Sequence, residues 1–116
     1  MYLLVAAMGG IGSILRYLVS RLMARFAPDL PYGTLLVNWT GSWLVGLLGG
    51  AVSQRIPGAL LTPIVAGLLG GFTTFSTFTY ETAELVQSGE LLPAIANLAL
   101  SVVGGALLAL LGLSLA

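Results

Sequence analysis

Nine consecutive residues hold most of the chemistry available to this chain: Gly70 to Phe78, in the order GGFTTFSTF. Four hydroxyl side chains, Thr73, Thr74, Ser76 and Thr77, are interleaved there with Phe75 and Phe78. Hydroxyls donate hydrogen bonds, and a phenylalanine ring has a negative face and a positive edge. Such a set can replace part of an anion's water shell without a competing formal charge. Two adjacent glycines open the segment and weaken helix, because glycine loses the most backbone entropy on folding. The segment interrupts an apolar run of membrane-spanning length. Non-helical backbone at membrane depth is tolerated only inside protein or beside a watery cavity. The expectation is a pore or binding site at a helix break, with Phe75 and Phe78 on one face.

Other polar residues fall within apolar stretches. Arg16 lies roughly 20 Å along a helix that starts near Leu3, at 1.5 Å per residue. Placing an arginine there costs at least about 2.5 kcal/mol, which calls for a function or an escape route. Two readings stand: an anion-attracting vestibule, or snorkelling to the headgroups. Asn38, in GTLLVNWTGSW, needs partners for its amide, either as glue between helices or as an anion donor in a pore. Asn97 and Ser101 are four apart and stack on one helix face, where they would extend a polar track. Glu81, one turn beyond Phe78, marks the aqueous end of that track or pairs with an arginine.

Four segments must position these groups. Their expected bounds are Leu3 to Met23, Gly33 to Val52, Leu60 to Val86 with the interruption inside it, and Pro93 to about Ala116. Each approaches the 20 or so apolar residues that cross a bilayer. The turns carry Pro28, Asp29 and Pro31; then Ser53, Gln54, Arg55, Pro57 and Gly58; then Gln87, Ser88, Gly89 and Glu90. Turns this short predict an up-down, all-α membrane bundle, one domain over residues 1–116. Small residues such as Gly9, Gly12, Gly41, Gly46, Gly104 and Gly105 suit close backbone packing in lipid.

Composition supports this and narrows the function. Hydrophobic residues make up 58% and charged ones 7%, far from the roughly one-quarter charged of a soluble domain. Four arginines balance four acids, so no basic patch exists for nucleic acid. Without His or Cys, the usual general bases, thiolate nucleophiles and zinc ligands are missing, and an enzyme is not expected. The N-terminal stretch lacks the charged start of a signal peptide, so cleavage is not expected. Arg21 and Arg25 flank the first turn and Arg55 the opposite side, a weak bias that is compatible with insertion in both directions. Four short helices leave little room for an aqueous path at their own centre. A path between subunits, most simply in an antiparallel homodimer, is expected.

The sequence resembles the Fluc (CrcB-type) fluoride channels of bacteria. The matching pieces are GGIGSILRY (Gly9 to Tyr17), GTLLVNWTGSWLVG (Gly33 to Gly46), GGFTTFSTFTYE (Gly70 to Glu81) and NLALSVVGG (Asn97 to Gly105). They fall on all four spans in the family's order. The resemblance implies a dual-topology antiparallel homodimer in the cell's inner membrane, with two fluoride pores and passive export that prevents toxicity. It implies pore-lining roles for Phe75, Phe78 and Asn38, with Ser76 and Thr77 beside the path. Asn97 and Ser101 match the fourth-helix polar track, and Arg16 the first-helix arginine. The backbone carbonyls of Gly70 and Thr73 from both subunits would bind a structural Na+. Trp43, Asn97 and Gly105 depart from the family pattern, Gly105 at a position for a hydroxyl of the track. The alternative is a proton-coupled small multidrug transporter. That class uses a glutamate in its first span, where this chain has no acid and carries Arg16.

Overall fold

The computed structural model describes residues 1–50 and 54–116. Val52 and Ser53, expected to end the second span and begin its turn, lie outside the described residues. Every regular element among the described residues is helical. Helix α1 spans Tyr2–Ala24 and α2 spans Tyr32–Gly49. A third helical run joins α3 (Gly58–Thr62), a first π-helical stretch (Pro63–Leu69) and α4 (Gly70–Phe72); α5 (Phe75–Gln87) follows a break. The last run joins α6 (Leu91–Ala99), a second π-helical stretch (Leu100–Gly104) and α7 (Gly105–Leu115). Three of these runs, Tyr2–Ala24, Gly58–Gln87 and Leu91–Leu115, are long and apolar enough to cross a membrane. The longest axis of the molecule is 48 Å, close to the 40–45 Å or so of a bilayer with its headgroups.

The break is shorter than the sequence implies. Gly70 and Gly71 are helical, and Phe75 begins the next helix. Only Thr73 (φ −87°, ψ 157°) and Thr74 (φ −153°, ψ 124°) are extended. Gly71 serves packing: a Cβ there would collide with the Gly9 carbonyl, as one on Gly12 would with the backbone of Leu68 and Phe72. Helix α1 therefore lies directly on the backbone ahead of the break. Two β-branched threonines, comfortable in extended backbone, then form the break itself.

Helix α1 packs on the first π stretch, α4 and α2, while α2 packs along α7 and α5 on α6. Gly46 and Gly112 allow α2 and α7 the same backbone-level approach, since a Cβ on either would meet the other helix's backbone. Gly10, in contrast, has open space where its Cβ would lie. The core holds Val37, Leu69, Phe78, Leu85 and Ala94, and large apolar side chains such as Leu3, Ile14, Leu107 and Leu110 face outward. The turn after α5 is a Schellman closure. Glu90 N–H donates to Leu85 O at 2.8 Å, Gly89 N–H to Val86 O at 3.1 Å, and Gly89 takes φ 78°. The two π stretches carry no signal that periodicity would reveal. At the second, the Trp39 indole donates Nε1–H to Leu100 O at 2.8 Å and occupies the space a Cβ on Gly104 would need.

Candidate functional site

Breaking a helix strands backbone groups, and the way they are satisfied builds the site. Asn38 of α2 takes both sides of Thr74. Its Oδ1 accepts the Thr74 N–H at 2.8 Å, and its Nδ2 donates to Thr74 O at 2.9 Å. Thr74 then caps α5, its Oγ1 accepting the Thr77 N–H at 3.3 Å and contacting Thr77 Oγ1 at 3.2 Å. The amides that would serve the carbonyls of Gly70 and Thr73 in an unbroken helix, Thr74 N–H and Thr77 N–H, are thereby drawn to side chains. The N-terminal end of α5, with its partial positive charge, starts at this point.

An open groove of about 510 Å³ runs beside the break. Asn38, Phe75, Phe78 and Ser101, four of the residues expected along an ion path, line it together. Gly70 and Thr73, the expected carbonyl donors, line it too. Phe75 and Phe78 meet edge to face, with centroids 5.7 Å apart and planes at 62°. They share the groove but differ in burial: Phe78 is 4% exposed and Phe75 is 75% exposed, standing out from the chain. Ser42 and Gly105 face each other across the groove wall, the Ser42 Oγ lying 3.4 Å from where a Gly105 Cβ would be. A hydroxyl that the fourth run lacks at Gly105 is thus present on α2.

The remaining expected residues lie off the groove lining. Thr77 is engaged with Thr74, and Ser76 is exposed, its carbonyl accepting the Thr79 hydroxyl at 3.0 Å. Asn97 is buried behind Phe78. Its Nδ2 donates to Thr82 Oγ1 at 2.8 Å, and that hydroxyl donates to Phe78 O at 2.8 Å. Asn97 and Ser101, expected on one stripe, therefore address different surroundings, Asn97 facing α5 and Ser101 the groove. Arg16 neither lines the groove nor reaches an acid; its Nε donates to Gly71 O at 3.1 Å.

A second cavity of about 600 Å³ opens at the end of the bundle near the first and third turns. Asp29, Thr34, Glu81, Glu84 and Glu90 contribute to its walls. Glu81 accepts the Thr34 hydroxyl on Oε1 at 2.7 Å rather than pairing with an arginine, and its Oε2 is buried without a partner. Thr34 precedes Asn38 by four residues, so helical spacing alone places the two on one face of α2. That signal was available in the sequence; the pairing with Glu81 was not.

The sequence pattern described as CrcB-like protein, Camphor Resistance (CrcB), matches residues 3–113. The chain belongs to the CrcB-like family. A relative from Syntrophotalea carbinolica, named fluoride-specific ion channel FluC, is 44% identical over 115 residues, covering 97% of this chain and 94% of its own. A protein of the same name from Anaeromyxobacter sp. (strain K) is 48% identical over 105 residues, 88% and 83% of the two chains. Fluoride-specific ion channel FluC 2 of Mycobacterium bovis is 47% identical over 109 residues, 93% and 84%. With its three long apolar helical runs, this CrcB-like chain is a multi-pass membrane protein.

Proposed function

We propose that the chain is a fluoride-selective channel that releases fluoride passively from the cell, and not an enzyme. The observation that carries this is its near end-to-end similarity to proteins named fluoride-specific ion channels. The groove at the helix break supplies a chemical rationale. Fluoride gives up its water shell only where donors replace it. Asn38 has a second amide proton beyond the one held by Thr74, Ser42 and Ser101 offer hydroxyls, and Phe75 and Phe78 present ring edges. Chloride, being larger, fits such a path poorly; the division between size and donor strength is a general question for selective pores. Ser76 and Thr77 stand at the start of α5 beside the path. Asn97, through Thr82, backs the Phe78 carbonyl.

The working unit in this reading is an antiparallel, dual-topology homodimer of four-span, single-domain subunits in the inner membrane, with two pores. Two features support it. The groove is open along one protomer, with Phe75 mostly exposed at its edge, so a second copy would close it. The arginines are nearly balanced between the two ends of the bundle. The carbonyls of Gly70 and Thr73 fit a structural Na+, since their helical amide partners are diverted and unwound carbonyls are suited to a hard cation. Two such carbonyls from each copy would make the site; the ion would hold the two breaks together.

The test is efflux from liposomes loaded with fluoride or chloride, with potassium and valinomycin to carry the compensating charge. Fast fluoride release with chloride release near the protein-free background is expected. A well-folded protein that releases neither ion, or both alike, would overturn the proposal.

A further inference from the structure

We infer that Arg16 is a positioning residue that pins the helix break from α1, and that its work is done by the Nε–H donor and not by its charge in a vestibule. In an unbroken helix the Gly71 carbonyl would accept from the amide of Phe75. The extended pair Thr73–Thr74 carries that amide away. Arg16 Nε donates to Gly71 O at 3.1 Å, and Ser13 Oγ approaches the same oxygen at 3.5 Å. Ser13 and Arg16 are three apart on α1, and Gly9 and Gly12 complete the same face. Those glycines bring α1 against Gly71 and Phe72 at backbone distance, which fixes the donors opposite the stranded carbonyl. The break is then held from two sides, Asn38 of α2 clamping Thr74 and Arg16 of α1 clamping Gly71. Gly71 lies between the two residues whose carbonyls are proposed to face the cation. Occupying its oxygen fixes the direction of its neighbours.

The assignment rests on the channel reading for its flux readout, and on structure alone for its exchange readout. Two substitutions separate donor from charge. Glutamine carries its amide nitrogen at the same number of bonds from Cα as the arginine Nε, without charge. Lysine keeps the charge but has a methylene at that position. In Arg16→Gln, fluoride-over-chloride selectivity in liposomes is expected to stay within about twofold of wild type. In Arg16→Lys, it is expected to fall by about tenfold or more, the scale of one buried carbonyl left without its donor. Amide hydrogen exchange across residues 71–74, read by mass spectrometry on the detergent-solubilised protein, is expected to speed up in Arg16→Lys and not in Arg16→Gln. Ser13→Ala, a milder change at the same carbonyl, gives a smaller acceleration and guards against an Arg16 variant that does not fold. The inference is overturned if Arg16→Lys matches wild type in exchange. It is equally overturned if Arg16→Gln loses selectivity while exchange over 71–74 is unchanged. Failure of wild-type protein to carry fluoride would sink the channel reading and leave the exchange result standing.

Discussion

Asn38 holds Thr74 through its whole amide, and each end of that contact satisfies a backbone group the break has stranded. One side chain thereby serves two ends, shaping the break and leaving one N–H for the groove. Asn38→Ala removes both bonds and leaves Thr74 N–H and C=O without them. At about 1–3 kcal/mol for each orphaned buried group, it is expected to lower thermal stability in detergent and abolish selective fluoride efflux together. A variant with wild-type melting and lost flux would instead make Asn38 a pore donor alone. The sequence showed that Asn38 needed partners, because a lone amide in hydrocarbon must find them. It did not show that the partner is main chain, since a stranded amide at Thr74 exists only once the break has been placed to the residue. For the same reason Arg16 was legible as an anomaly and not as a ligand of Gly71.

Among elements, the close seating of α1 on the third run makes the break possible. A Cβ at Gly12 would meet Leu68 O and Phe72 N, backbone atoms that cannot swing aside. Gly12→Ala is expected to cost about 1–3 kcal/mol as the helices separate, measured by thermal denaturation in detergent. Unchanged stability would show that α1 and α4 are not held at this distance. The helix bounds were largely readable: hydropathy and turn residues place α1, the end of α5 and the turn at Gly89 within a residue or two. The extent of the break was not. A Gly-Gly pair is a weak point in isolation, yet here both glycines stay helical, and at Gly71 the backbone of α1 takes the space a side chain would need. The π stretches were also hidden, as one extra residue per turn barely disturbs an apolar pattern. Trp39, bonded to Leu100 O, accompanies the second of them.

For the molecule as a whole, the proposed dimer and its cation site make the break in the third run the place where an assembly would be tested. Exchanging sodium for N-methyl-D-glucamine throughout purification is expected to lower the melting temperature of the detergent-solubilised protein, because a ligand bound only to the folded state stabilises it. Identical melting in the two cations would argue against a sodium site at Gly70 and Thr73. The membrane class could be anticipated from composition, and the grouping of Asn38, Phe75, Phe78 and Ser101 from the family resemblance and not from spacing. The separation of Asn97 from Ser101, and the Thr34 partner of Glu81, depend on how α5 meets α6 and α2, which no local pattern encodes. The central claim is that fluoride passes through the groove at the break. It is tested most directly at Phe75, which is 75% exposed in the protomer and contributes little to its core. Fluoride efflux from liposomes carrying Phe75→Ala should fall to near background while the protein elutes and melts like wild type. Efflux at the wild-type rate from that variant would contradict the account.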